Sequence, residues 1–289
     1  MSWFYLAIIC ALSLALADAY TKKYFLNNHG IDILLVRFSL PGIVLLPFTV
    51  SFSIADLPSA FFHHMLILVP LEITAMWLYV VAIRDAPLHL TLPYLAFTPV
   101  FNILTGYLVL GEVISFKGCA GILLIVIGGY LLNLDQLKKV DSHIFSPFTA
   151  IYKLKGSRLM LIAAAIYSLT SVIGKRAMGD LPPEIFGAYY YIIVGMALLL
   201  AVLVTQPKRL QLIIKQPKKN MVVGGLMAIM AITHFLAIAQ VEVAYMIAVK
   251  RTSLIFGMLL GAWMFKDMIT RQHILAGILM ITGVFFILI

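Results

Sequence analysis

The chain has 289 residues, of which 63% are hydrophobic and only 11% charged, with a mean hydropathy of +1.04. Soluble domains average about 45–50% apolar and about 25% charged residues, so this composition excludes a soluble globular protein and requires lipid as solvent. A formal net charge of +9 would suit nucleic acid, but the basic residues fall in short loops between apolar runs and read as topology signals.

In chain order the apolar runs are Trp3–Tyr20, Ile31–Phe52, His64–Ile83, Leu88–Leu110, Gly118–Leu134, Leu159–Gly174, Ile185–Thr205, Met221–Ala239, Val243–Phe265 and Ile274–Ile289. That predicts an all-α membrane protein of about ten transmembrane helices, several near the lower length limit of ~17 residues. The first run ends in Ala17-Asp18-Ala19, the pattern of a signal cleavage site, but no Lys or Arg precedes Lys22, so the run is expected to be retained. Asp18 stands four residues before Lys22, the spacing of a local ion pair, while Arg37 and Arg84 near span ends should snorkel to the headgroups. Cys10 and Cys119 lack metal-ligand spacing, and no metal or cofactor is expected.

A charge deep in a span costs about 2.5–3.5 kcal/mol on insertion scales and is a functional candidate by default. Glu72 lies near the middle of the third run, after Pro70 and before Trp77. It is either the carrier of a coupling proton or a neutral or paired carboxyl that joins helices.

In the fourth run Thr91, Tyr94, Thr98, Asn102 and Thr105 follow one another at spacings of three, four, four and three, which puts them on one helix face. Hydroxyls and an amide are not exposed to hydrocarbon, so this face should look toward other helices or a wet cavity. The plainer reading is interhelical hydrogen bonding.

The chain also contains itself twice. A slide of 155 residues (112 to 267) sets Gly111-Glu112 on Lys266-Asp267, Gly106 on Gly261 and Thr98 on Ser253. A slide of 153 (22 to 175) sets Lys22-Lys23 on Lys175-Arg176. Residues 1–134 and 159–289 are thus two repeats joined by a basic connector, 135–158. Five spans per repeat is an odd number, which inverts the second copy, and such pairs hold substrate near the midplane between repeats.

The second copy adds candidates. Lys250 lies seven residues into the ninth run, about 10 Å deep, and on a straight helix shares a face with Ser253, Gly257 and Gly261. Lys250 is therefore expected, ahead of Arg251, to be the inward group, either holding a substrate carboxylate, pairing with Glu72 or snorkelling. His234 aligns with Tyr79, and Trp77, Tyr94 and Tyr167 share faces or equivalent positions with the polar candidates. Gly106, Gly257 and Gly261 read as close-packing positions, and Glu112 and Asp267 as parts of helix-to-helix turns. Loop charges set fifteen basic residues on one side against Lys117, Lys175 and Arg176 on the other, which places both termini outside the cytoplasm.

These residues resemble the drug/metabolite transporter superfamily, in particular its ten-helix members with two EamA domains. The resemblance covers nearly the whole chain. It is carried by Pro99-Val100-Phe101, Leu110-Gly111-Glu112, Gly121 and Gly128, and by the fainter Gly261, Lys266-Asp267, Gly277 and Gly283. The chain departs from the pattern at Leu14-Ala15, where the family has Trp-Gly, and at Leu254-Ile255-Phe256 in place of a second Pro-Val-Phe. The resemblance implies a secondary transporter in the cell (inner) membrane, exporting small organic solutes such as amino acids or related metabolites by alternating access at a cavity between the repeats. It also implies termini in the cytoplasm, opposite to the charge tally, while proton or ion coupling, or facilitated exchange, and a monomer or homodimer are the expectations for its mode of action and assembly.

No Gly-rich nucleotide loop with Lys-Ser/Thr is present, so direct ATP use is not expected. Of the competing classes, an intramembrane enzyme would need paired aspartates, a Ser with a His, or His-Glu-x-x-His within spans. A receptor or assembly protein would have long soluble loops. Neither pattern is found.

Overall fold

The computed structural model describes residues 2–26, 28–50, 52–85, 92–132, 155–179, 181–211 and 215–289, and among these the only regular structure is helical. The segments are α1 (Trp3–Phe25), α2 (Gly30–Thr49), α3 (Ser59–Asp85), α4 (Tyr94–Leu110), α5 (Phe116–Leu131), α6 (Lys155–Met178), α7 (Pro183–Thr205), α8 (Pro217–Ile238), α9 (Val243–Phe265) and α10 (Arg271–Leu288). Eight are long and apolar enough to cross a membrane, while α4 and α5 are shorter. Positions 88–91 of the expected fourth span, Thr91 among them, lie outside the described residues.

Prolines shape α2. Pro41 has no N–H to return to the preceding turn, and the ladder widens to a π-turn over Leu35–Ser39 before resuming at Leu40. Pro47 then tightens the last turn to 3₁₀ over Leu46–Thr49.

Contacts divide the chain into two compact units, Met1–Ile73 with Ile173–Gln240, and Thr74–Val172 with Val241–Ile289. Each therefore draws helices from both sequence repeats. In the first unit α1 packs along α8, and α7 along α2; in the second α5 packs along α10, and α4 along α9. Lipid is as apolar as the side chains, so close backbone approach rather than water exclusion must hold such pairs.

The glycines show how the pairs meet. A methyl group at Gly121 on α5 would come within 2.5 Å of the Gly283 carbonyl oxygen on α10, and one at Gly128 within 2.7 Å of the Ala276 carbonyl oxygen. These two contacts exchange under the 155-residue slide (121 to 276, 128 to 283). In the first unit a methyl at Gly42 would meet the Tyr191 carbonyl oxygen at 3.0 Å and Ile192 Cα at 3.1 Å, and one at Gly195 the Phe38 carbonyl oxygen at 2.9 Å and Ser39 Cα at 3.0 Å. These exchange under the 153-residue slide (42 to 195, 39 to 192). Each unit is thus built on a reciprocal crossing of two equivalent helices, and in the first the Ser39 hydroxyl adds a bond to the Gly195 carbonyl at 3.2 Å.

The repeat is equally clear at two helix ends. α4 stops at Leu110 with Gly111 in the left-handed region (φ 71°), and α9 stops at Phe265 with Lys266 there (φ 59°). In each case the next amide bonds six residues back, Glu112 to the Gly106 carbonyl at 3.2 Å and Asp267 to the Gly261 carbonyl at 3.3 Å. The carboxylates fold back so closely that a methyl at Gly106 would lie 3.0 Å from Glu112 Oε2, and one at Gly261 2.9 Å from Asp267 Oδ2. Gly106 and Gly261 therefore make room for their own turns rather than for a neighbouring helix, and Gly257 meets nothing within 4 Å, contrary to the close packing expected of all three.

Candidate functional site

The polar stripe of α4 is buried in the second unit. Tyr94, Thr98 and Asn102 are 3%, 2% and 1% exposed, and Thr105 is half-buried. A 3₁₀ segment, Leu92–Phe97, leads into α4 and gives way to α-helix at Thr98, whose hydroxyl donates to the Leu95 carbonyl at 2.6 Å. With its proton committed there, Thr98 Oγ1 accepts from Arg251 Nη2 at 2.8 Å.

Arg251 gets there because α9 is not one straight helix. Its pieces, Val243–Lys250 and Ser253–Phe265, are joined by a tight turn in which Thr252 bonds the Val249 carbonyl and Leu254 the Arg251 carbonyl, both at 3.0 Å. Three-residue bonding advances the chain by ~120° per residue rather than ~100°, so face counting from Lys250 loses phase across the turn. Arg251, ranked behind Lys250 in the sequence, reaches the stripe with its side chain, and Lys250 is half-buried. Ser253, 7% exposed, opens the second piece at the position equivalent to Thr98.

α6 supplies the rest. Thr105 donates to the Phe101 carbonyl at 3.0 Å, which leaves the fully buried Ser168 hydroxyl as donor in the 2.9 Å bond between them. The Ser171 hydroxyl lies 3.3 Å from Asn102 Oδ1, 2.8 Å from the Tyr167 carbonyl and 3.0 Å from the Ser168 carbonyl, its single proton shared among the three. Asn102 Nδ2 has no hydrogen-bond partner among the described residues. Thr98 and Asn102 are four residues apart, so this amide and the hydroxyl that holds Arg251 Nη2 stand on one face of α4, about 6 Å apart along the helix. The arrangement offers two fixed donors to an acceptor, which fits a carboxylate or other anionic group.

Tyr94 is more deeply committed to packing, set against Ala82 and Met160 with its hydroxyl bonded to Ser157. Tyr167 is half-buried, and Trp77 is 61% exposed, apart from the polar cluster. Ser171 was missed in the sequence because a serine in an apolar run carries no distinguishing sign.

Glu72 and His234 belong to the first unit. Glu72 is buried at 9% exposure, and Tyr191 on α7 lies within electrostatic reach of Glu72, Arg37 and Cys10. Arg37 forms an ion pair with Asp18 across α1 and α2. This corrects one local expectation, since Asp18 takes a partner from the next helix rather than relying on Lys22. The His234 ring packs edge-on against Phe235 at 5.0 Å between centroids.

Helices of this length, apolarity and duplication define a multi-pass integral membrane protein with a two-repeat architecture. The model of the EamA-like transporter family matches residues 1–134 and again 154–289. The chain belongs to that family. Its fold is similar to that of a protein known from a crystal structure, with a TM-score of 0.75 over 99% of this chain and 96% of that one, at 15% identity. Among curated proteins none matches the sequence.

Proposed function

We propose that this membrane transporter is a secondary exporter of small organic solutes carrying an anionic group, amino acids or related metabolites. In this reading it works by alternating access, and the solute is held by the polar groups of α4, α6 and α9. The observation that carries the reading is Asn102: a buried amide donor without a partner costs about 1–3 kcal/mol, and a ligand acceptor repays that cost. Arg251 supplies the complementary charge, and Thr98 and Ser253 mark the same place in both repeats. Glu72 carries the coupling proton, since a carboxyl inside a span is easily neutralised and its charge is costly there. In this reading the protein sits in the inner membrane of the cell with both termini outside the cytoplasm, the orientation that the basic loops favour.

The experiment is flux of radiolabelled amino acids from proteoliposomes with and without an imposed proton gradient. Protein-dependent flux that Arg251→Gln abolishes, and that Glu72→Gln uncouples from the gradient, is the expected result. Undiminished flux through a folded Arg251→Gln protein would remove the guanidinium from the site, and flux indifferent to the gradient in the unmodified protein would remove the coupling role of Glu72.

A further inference from the structure

A cavity of about 620 Å³ opens where α7 ends, walled by Thr205, Gln206, Lys208, Arg209, Lys215 and, from the first turn of α2, Asp32. Arg209 is fixed in it. Its Nη1 lies 3.1 and 3.3 Å from the two Asp32 oxygens and its Nε donates to Gln206 Oε1, so the guanidinium and the carboxylate neutralise each other. The surplus charge of the wall is then that of Lys208 and Lys215, both exposed. Thr205 of the wall closes α7, and on the turns before it Met196, Leu200, Leu203 and Val204 are 56%, 58%, 51% and 83% exposed. Leu200 stands four residues after Met196, and Leu203 and Val204 stand three and four residues after Leu200, so the four make a single stripe ending near the cavity.

We infer that this cavity binds the phosphodiester headgroup of an anionic phospholipid, with an acyl chain lying along the α7 stripe. Two cations beside a fixed guanidinium suit a phosphate oxygen, and the apolar stripe leading away from them suits an amphiphile, whereas a small soluble anion would make no use of it. The inference does not depend on the transport reading.

The test is native mass spectrometry of the full-length protein in detergent, titrated with phosphatidylglycerol or phosphatidylcholine of identical chains. Phosphatidylglycerol should be retained at least about tenfold more tightly, because cations at a membrane surface each favour anionic lipid several-fold. Lys208→Gln with Lys215→Gln should bring the two lipids within about twofold, each single change giving part of the loss. The same charge removed by Lys22→Gln with Lys23→Gln should leave the preference intact. Equal retention of both lipids by the unmodified protein would overturn the proposal. So would equal loss in the two double variants, which would mean a diffuse field, or displacement of the lipid by millimolar inorganic phosphate, which would mean a soluble anion. Both double variants alter exposed side chains, and unchanged melting temperatures without lipid confirm that they fold.

Discussion

Glu112, in the loop after α4, accepts the amide proton of Val243 at the first turn of α9, with 2.8 Å between Oε2 and N. The bond ties the end of one helix to the start of its repeat-equivalent, where the free amides and the helix dipole favour a negative charge. Glu112→Ala should lower stability by about 1–2 kcal/mol, while Glu112→Gln, which keeps an acceptor, should lose less than half of that. Thermal unfolding in detergent checks this, and equal losses for the two variants would show that the carboxylate acts by something other than this cap.

The reciprocal crossings set a second contrast. Gly121→Ala places a methyl 2.5 Å from a backbone oxygen that cannot rotate away, and should cost about 1–3 kcal/mol through displacement of α10. Gly257→Ala, with nothing within 4 Å of the added carbon, should gain about 0.5–1 kcal/mol of helix propensity. Melting temperatures moving in the same direction for both would refute the crossing as the source of the constraint.

How much of this could be read in advance varies with the reach of the signal. The stripe of α4 and the duplication were legible because spacing and self-similarity need only the order of residues, and Thr98 and Ser253 do open equivalent helix segments. Arg251 was passed over because the tight turn at Thr252 shifts the phase by an amount that no apolar pattern records. Asp18 offered a local partner at the fourth residue, and its actual partner, Arg37, depends on how α1 meets α2.

Lys266 adopts a left-handed conformation that costs a residue with a Cβ about 1–2 kcal/mol, while its counterpart Gly111 adopts it freely. Lys266→Gly should therefore stabilise the protein by about 1 kcal/mol and Gly111→Ala destabilise it by a similar amount. Unfolding midpoints that fail to move oppositely would mean that the two turns are not energetically equivalent.

Asn102→Ala separates stability from function. Removing an unpaired buried donor relieves about 1–3 kcal/mol, against a lost bond to Ser171 of about 1 kcal/mol, so the folded state should change little. Solute flux should fall at least about tenfold if the amide meets the substrate. A variant that melts much earlier while transporting normally would assign Asn102 to helix association instead.

The contacts of Gly121 with Gly283 and of Gly128 with Ala276 have the form of an isologous dimer interface, in which each patch meets its own copy, written within a single chain. In a dimer of identical halves one substitution would alter both contacts at once, and any bulk tolerated at one would have to be tolerated at the other. Covalent duplication lifts that restriction. The pair at Ala276 already carries a methyl where Gly121 carries none, so the two ends of one crossing can be tuned separately without giving up the geometry they share.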